Sequence, residues 1–254
     1  MIWAISDTFK KINIMKKYIR LIFHFLRLEI SYYRPESTSE ALFFKMLKKF
    51  DINTIFDIGA NEGQFGGFIR NLGFRGSIVS FEPLTQAYQK LQLKSSGDVL
   101  WSIAPQMAIG DKDGNVKINI ANNSESSSIL TMLKTHEDAE GNSAYTGTEI
   151  VRISKLDSIY SSYVQQDSKI FLKIDTQGYE DRVLRGASNL LEQVVGLQIE
   201  LSLTPLYSNQ ILFDEMIDNL KKMGFELWLI MPVFSDLKTG RLLQVDATFF
   251  RTLN

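Results

Sequence analysis

Residues 54–67, TIFDIGANEGQFGG, constrain the fold more than any other part of the chain. They form a short apolar run that ends in an acid, followed by a loop in which Gly59 and Gly63 flank Asn61. A second apolar run, SIVSFEP, ends in Glu82. A glycine turn after one strand and an acid after the next is how parallel α/β sheets hold a nucleoside. The sequence therefore predicts a nucleoside-binding α/β sheet.

Apolar runs and helical patterns alternate along the rest of the chain. Strands are predicted at residues 52–58, 77–81, 99–109, 116–121, 169–174 and 194–201, and helices at 41–50, 64–72, 85–94, 183–191 and 213–223. Residues 226–234 and 242–251 predict a closing antiparallel hairpin. This order is typical of a Rossmann-like α/β fold, in which helices cover both faces of a mostly parallel sheet.

The domain organisation follows from the two stretches that break this alternation. Residues 1–36 are predicted to be an appendage to one domain over residues 37–254. Residues 122–149 are polar, rich in Ser and Asn and weakly periodic, so we predict a lid or substrate loop there.

Residues 9–30 are basic and lack an acid between Asp7 and Glu29, and their apolar residues recur at helical spacing. Such a helix could lie on an anionic membrane surface or pack on the domain or a second subunit. No apolar run approaches the roughly 20 residues of a membrane span. We therefore expect a cytoplasmic protein, with peripheral contact at the inner membrane surface as an additional hypothesis.

Composition excludes several kinds of chemistry. The net charge of −1 gives no general attraction to nucleic acid, and none is expected as a partner. The chain has no Cys, which excludes disulfides, thiolate metal sites and a Cys nucleophile. His24 and His136 are its two histidines, too few for a multi-histidine metal site.

The loop pattern is G-x-x-x-G and differs from the G-x-G-x-x-G of pyrophosphate binders. This favours a nucleoside without a diphosphate, with S-adenosylmethionine as the leading candidate and a nicotinamide oxidoreductase as the rival. We expect Asp57, Gly59, Asn61 and Gly63 to form the methionine end of the cofactor site, because glycine allows the backbone to approach a ligand closely. A plain strand-to-helix turn is the structural alternative.

The ribose and adenine are expected further along the same sheet edge. Glu82 can accept both ribose hydroxyls, because each carboxylate oxygen can take one donor, and Pro83 stiffens the exit from its strand. Alternatively, Glu82 is an exposed acid that caps the next helix. The adenine is placed near residues 106–108, which include Met107, by analogy with the fold.

Several segments together resemble the FkbM family of S-adenosylmethionine-dependent methyltransferases. They are FDIGANEGQF (56–65), SFEP (80–83), AIGDKDG (108–114), SKLDSI (154–159), FLKIDTQGYEDRVLRGA (171–187) and LQIELS (197–202). The family often has Glu where this chain has Gln177. The resemblance implies a seven-stranded methyltransferase sheet with a terminal hairpin and O-methylation of a sugar, glycan or natural product. It does not reach residues 1–36 and is weak over residues 130–150.

Two acids at strand ends are the candidate catalytic groups. Asp175 could take the proton from a substrate hydroxyl, and Glu200 could orient that hydroxyl or hold a cation. Together they could bind Mg²⁺, although two carboxylates do not establish a metal site. His136 is an alternative base because its ordinary pKa is suitable. The structural alternatives are that Asp175 caps a turn and Glu200 pairs with a surface cation.

Ser127 and Ser128 are candidate substrate contacts, because their hydroxyls could meet a polyol; a solvated serine-rich loop is the alternative. Glu180 is predicted to start a helix and Asp157 to cap the helix before the fourth strand. A second hypothesis for the whole chain is a non-catalytic nucleoside-binding module that docks on a membrane or partner through its N-terminal helix.

Overall fold

A computed structural model describes residues 18–19, 21–26 and 38–251. The chain divides into two compact units, Met1–Thr38 and Ser39–Asn254. In the first unit residues 21–25 are helical, and most of the predicted helix over residues 9–30 lies outside the described residues. Within the described ranges, no helix is long and apolar enough to cross a bilayer.

The second unit contains ten strands and seven α-helices among its described residues. The strands are β1 (Thr54–Ile58), β2 (Ser77–Phe81), β3 (Trp101–Ile103), β4 (Ala108–Ile109), β5 (Gly114–Ala121), β6 (Tyr145–Ser154), β7 (Ile170–Ile174), β8 (Val194–Ser202), β9 (Phe225–Asp236) and β10 (Arg241–Arg251). The helices are α1 (Ser39–Lys49), α2 (Gln64–Asn71), α3 (Thr85–Ser95), α4 (Lys134–Ala139), α5 (Glu180–Arg185), α6 (Ser188–Leu191) and α7 (Phe213–Lys222).

The central sheet has seven strands in the order β3-β2-β1-β7-β8-β10-β9. Its first five strands pair in parallel, and β10 is antiparallel to both β8 and β9. Strands β1 and β7 are buried throughout, which is why they read as continuous apolar runs. The predicted Rossmann-like sheet with a terminal hairpin is confirmed. Its strand order reverses between β1 and β7, where such sheets bind ligands.

Apolar residues fill both faces of this sheet. On the face that carries α1, Phe43 packs edge-on against Phe171, and Phe50 stacks on Phe250. The opposite face packs against α5, α6 and α7 through residues such as Leu172. Burial on both faces fixes the positions of the strand ends that carry the polar residues described below.

A second, three-stranded sheet has the order β4-β6-β5 and corrects two predictions. The strand predicted at residues 99–109 is broken, because Pro105 has no N–H group to continue a ladder; Ala108–Ile109 instead pairs with β6. The loop predicted at residues 122–149 contains α4 and the start of β6. Polar, exposed positions hide the strand periodicity of β6 in the sequence.

The helix predicted at residues 183–191 is two helices. Gly186 ends α5, and a Cβ there would lie 1.9 Å from the carbonyl oxygen of Gly110, so this position requires glycine. Asp157 accepts hydrogen bonds from the backbone N–H groups of Asn189 and Leu190 and therefore caps α6. The prediction that Asp157 caps the helix before the fourth strand is wrong, because the helix that it caps, α6, is distant from it in sequence.

Candidate functional site

A cavity of about 620 Å³ lies at the carboxyl ends of the parallel strands. Its volume is within the range of about 300–1,000 Å³ typical of small-molecule sites. Most of the predicted site residues line it, namely Asp57, Gly59, Asn61, Glu82, Pro83, Met107, Ser127, Ser128, Asp175 and Glu200. The structure therefore brings together residues that are up to 143 positions apart in the chain, from Asp57 to Glu200 (200 − 57).

The loop between β1 and α2 owes its shape to left-handed backbone conformations. Gly59 has φ +80°, and a Cβ there would lie 1.9 Å from the carbonyl oxygen of Asp175. Glycine at this position therefore allows the β1 and β7 loops to touch. Gly63, with φ +81°, precedes α2 and packs against Leu91, but it is not among the cavity-lining residues.

Glu82 joins this loop to the end of β2. One of its carboxylate oxygens accepts the Asn61 N–H and the other accepts the Leu84 N–H, both at 2.8 Å. The residue is only 4% exposed, so it is not the exposed acid of the structural alternative. Burial raises the pKa of Glu82 to about 7, although the two N–H groups act in the opposite direction. Each oxygen retains a lone pair for a further donor.

Asn61 provides an unsatisfied polar group in the same wall. It has φ +46°, a conformation that Asn adopts more readily than most residues. Its side-chain oxygen accepts a hydrogen bond from Ser124 at 3.0 Å, whereas its Nδ2 is buried without a protein partner. A buried donor without an acceptor is costly, so this amide is suited to a bound ligand. The open lone pairs of Glu82 and this free donor fit a nucleoside cofactor.

The segment after β5 crosses over the β1–α2 loop. Besides the Ser124 contact, the side chain of Gln64 donates to Glu125 at 3.1 Å. The Ser127 hydroxyl accepts the Ala121 N–H. The Ser128 hydroxyl, which accepts the Leu130 N–H, donates to the Gln177 carbonyl at 2.6 Å. Both serine hydroxyls therefore line the cavity while holding local backbone.

A network of charged and amide side chains forms the other end of the cavity. Nε2 of Gln177 donates to Asp175 at 2.9 Å and to Glu200 at 2.6 Å. Nζ of the buried Lys173 lies 3.4 Å from Asp175 and 3.2 Å from Asp246. Lys173 and Asp246 also line the cavity, and the sequence analysis did not identify them. It also did not identify Gln177 as the bridge between the two carboxylates. Asp246 pairs with Glu200 across β10 and β8, a register that no local sequence pattern reveals.

The protonation of this network follows from burial and mutual charge. Burial raises the pKa of Glu200 well above its ordinary value, and neighbouring Asp175 raises it further while Lys173 opposes the shift. Burial alone would lower the pKa of Lys173, but the surrounding carboxylates raise it overall. Burial also raises the pKa of Asp57 to about 6, although Lys173 and the Ser80 hydroxyl lower it. The surroundings therefore favour the charged form of Lys173 and the neutral form of Glu200.

His136 lies outside the cavity lining. It is 2% exposed, its Nε2 is 3.3 Å from the Ser126 hydroxyl, and its ring packs against Tyr207 and Phe234. Burial lowers the pKa of His136 to about 4, which keeps the ring neutral. The structure does not bring this residue to the predicted catalytic carboxylates, because its helix packs the ring into an apolar cluster.

Glu180 has a structural position, as the sequence analysis expected. It begins α5, and one carboxylate oxygen accepts the N–H groups of Thr176 and Gly178 at 3.0 Å each. These bonds hold the loop that carries Gln177. Burial raises the pKa of Glu180 to about 7.

The metal hypothesis is tested by the same geometry. Among residues 18–19, 21–26 and 38–251, no group of three or more His, Cys, Asp or Glu side chains could hold a metal ion. The Lys173 ammonium lies between Asp175 and Asp246 and already provides them with a cation.

The strand order, the glycine loop and the acid after β2 define a Rossmann-like methyltransferase fold. A family model described as the Methyltransferase FkbM domain matches residues 57–227, more than half of the 254 residues. The chain belongs to the FkbM methyltransferase family. S-adenosylmethionine is the cofactor that this family implies.

Solved structures with a related fold are distant in sequence. An S-adenosylmethionine-dependent methyltransferase from Mesorhizobium loti has 9% identity and a TM-score of 0.46, with 85% of this chain and 99% of that chain covered. An rRNA methylase from Streptococcus thermophilus has 11% identity and a TM-score of 0.45, with 88% and 100% covered. TehB from Haemophilus influenzae has 12% identity and a TM-score of 0.44, with 82% and 60% covered. A comparison with curated proteins gives no match.

Proposed function

We propose that this methyltransferase transfers a methyl group from S-adenosylmethionine to a hydroxyl oxygen of a sugar, glycan or natural product. The observation that carries the proposal is one continuous cavity, which joins Asn61 and Glu82 at one end to Asp175 and Glu200 at the other. The proposed nucleoside site and the candidate base therefore share one cavity, as an in-line transfer requires.

The cofactor end would be held by the loop around Gly59 and Asn61 and by Glu82. Glu82 would accept the ribose hydroxyls with its open lone pairs, and Asn61 would donate its unpartnered amide to the ligand. Pro83 and Met107 line the same wall and would bound the adenine. When bound, S-adenosylmethionine supplies a methyl group already activated by its positive sulfur.

Asp175 is the proposed general base. Its side chain is 34% exposed, so it is accessible from the cavity while Gln177 and Lys173 fix its orientation. The acceptor oxygen would form a bond to the methyl carbon as the carbon–sulfur bond breaks. The electron pair of that bond would remain on sulfur, and the hydroxyl proton would pass to Asp175. Positioning of this kind can lower a barrier by about 7–11 kcal/mol, and a base adds about 10²–10⁴-fold.

Glu200 would orient the acceptor. Because its pKa is raised by burial, it can hold a proton and donate a hydrogen bond to the acceptor oxygen while Asp175 accepts the departing proton. Nε2 of Gln244 donates to Glu200 at 2.8 Å and, with Gln177, fixes the carboxyl group in place.

Calorimetric titration tests the cofactor site. Wild-type protein should bind S-adenosylmethionine and S-adenosylhomocysteine in the micromolar range, and Glu82→Ala should weaken both by at least about tenfold because two ribose hydrogen bonds are lost. The exposed acid Glu215 provides the matched control, and Glu215→Ala should bind as wild type. Absence of binding by folded wild-type protein would reject the proposed cofactor and favour the non-catalytic module.

A second test addresses Asp175. Asp175→Asn should keep cofactor affinity within about threefold and lose methyl transfer by about 10²-fold or more, measured with labelled S-adenosylmethionine and an accepted glycoside. Full turnover by this variant would remove Asp175 from the mechanism and leave Glu200 as the candidate base.

A further inference from the structure

The charge of the cavity wall restricts the acceptor. The residues that line the cavity include seven acids, namely Glu40, Asp57, Glu82, Glu125, Asp175, Glu200 and Asp246. Among the lining residues that the structure describes, Lys173 is the single cation, and its ammonium is already paired with Asp175 and Asp246. An anionic group on the acceptor at the Asp175 end would meet carboxylates, and no side-chain cation among these lining residues is free to pair with it.

Glu200 illustrates the cost of negative charge at this end. Its carboxyl group is buried, has two amide donors and lies close to Lys173, yet its pKa is still raised well above the ordinary value. A site that resists ionisation of its own carboxyl group resists a substrate phosphate or carboxylate for the same reason.

The wall next to the charged cluster is apolar. Met231 pairs with Asp246 across β9 and β10, which places Met231, Pro232 and Val233 beside the carboxylates. Phe65 and Phe68 from α2 line the same cavity. Val233 is 52% exposed, so the apolar wall reaches the protein surface. A hydroxyl group at Asp175 would therefore have apolar surface next to it.

We propose that the acceptor is an uncharged hydroxyl compound with an apolar substituent beside the methylated ring, and that acceptors with a phosphate or carboxylate near the reacting hydroxyl are rejected. This inference rests on the proposed function, since it concerns the acceptor end of the same cavity. It implies that methylation acts on the neutral glycoside, after any step that removes a phosphate from the sugar.

Three glycosides serve as probes of the full chain loaded with S-adenosylhomocysteine. Phenyl β-D-glucopyranoside is neutral and has an apolar group, phenyl β-D-glucuronide adds a carboxylate, and methyl β-D-glucopyranoside lacks the phenyl ring. Calorimetry or saturation-transfer NMR should show the neutral phenyl glycoside binding about tenfold or more tightly than either of the others. Equal or tighter binding of the glucuronide, or binding of none of the three, would overturn the inference.

Two variants separate the charge from the apolar wall. Asp246→Asn should reduce the discrimination against the glucuronide at least about threefold, whereas Asp218→Asn on the exposed side of α7 should leave it unchanged. Val233→Ser changes an exposed side chain and should reduce the preference for phenyl over methyl glucoside about threefold. If Asp246→Asn discriminates against the glucuronide as strongly as wild type, the charge part of the proposal is rejected. If Val233→Ser prefers the phenyl glucoside as strongly as wild type, the apolar-wall part is rejected. If the wild-type protein does not bind S-adenosylhomocysteine, the proposed function itself is rejected.

Discussion

The two ends of the cavity are built in different ways. The proposed cofactor end depends on the backbone, namely on left-handed residues at Gly59 and Asn61 and on N–H groups that hold Glu82. The acceptor end depends on side chains that meet across strands, where Gln177 and Lys173 link carboxylates from β8, β10 and the β7 loop. The first arrangement is local in sequence and the second is not. The cofactor end should therefore be sensitive to backbone changes, and the acceptor end to changes of charge.

The largest effect is expected for Gly59→Ala. Its Cβ would overlap the Asp175 carbonyl at 1.9 Å in a backbone conformation that Ala rarely adopts. Strain and displacement together should lower the free energy of unfolding by about 3 kcal/mol and abolish cofactor binding. Urea denaturation measures the free energy of unfolding, and calorimetric titration measures cofactor binding.

Gly97→Ala is the matched control for this prediction. Gly97 has φ +93° but nothing within 4 Å of an added Cβ, so the variant reports conformational strain alone. It should lose about 1 kcal/mol and bind the cofactor normally. If Gly59→Ala behaves like Gly97→Ala, contact between the two loops does not determine the cofactor end.

A smaller loss of stability is expected for Lys173→Met, which tests the acceptor end. Removal of the buried ammonium would leave Asp175 and Asp246 without their cation. Breaking a buried pair typically costs about 3–5 kcal/mol, but both carboxylates are partly exposed, so we expect about 2 kcal/mol by urea denaturation. Cofactor affinity should change less than the stability does.

Lys90→Met removes an exposed ion pair and provides the comparison. Lys90 lies 2.6 Å from Glu62, and both side chains are well exposed. Such pairs contribute about 0–1 kcal/mol, so this variant should resemble wild type. A loss in Lys173→Met as small as that in Lys90→Met would mean that the charges at the acceptor end are independently solvated.

The contrast also explains what could be predicted from sequence. The meeting of Gly59, Asn61 and Glu82 at one edge of the sheet could be predicted, because they belong to a short motif that keeps its geometry in many parallel sheets. Their role in cofactor binding stays a prediction. The positions of Asp175 and Glu200 at strand ends that open into the cavity could also be predicted, and their catalytic roles stay predictions. The mostly parallel sheet and its closing hairpin could be predicted from the alternation of apolar runs and helices, with the family resemblance adding the number of strands.

Other parts could not be predicted, because they depend on pairing between distant segments. Asp246 enters the site only through the register of β10 on β8, which no local pattern reveals. His136 was a reasonable base on its ordinary pKa, but tertiary packing against Tyr207 places it in an apolar cluster. The polar strand β6 has no clear alternation, so its sheet was missed.

The smallest effect on stability is expected for Gln177→Glu, which places a third carboxylate between Asp175 and Glu200. The two donor bonds at 2.9 and 2.6 Å become contacts between acids, so the new group should have a pKa above the roughly 4.3 of an unfolded Glu. A raised pKa in the folded state means that the folded protein binds the proton more tightly than the unfolded chain does. The variant should therefore be as stable as wild type below about pH 4 and should become less stable than wild type as the pH rises.

Thermal melts from pH 5 to pH 8 measure this prediction. The variant should lose about 1–2 kcal/mol relative to wild type at pH 8, and the difference should shrink towards pH 5 as the cluster takes up a proton. Gln92→Glu, on the exposed side of α3, adds the same charge away from the cluster and should show a small, pH-independent difference. A Gln177→Glu deficit that stays constant with pH would indicate lost packing and would argue against Gln177 as the link between the two carboxylates.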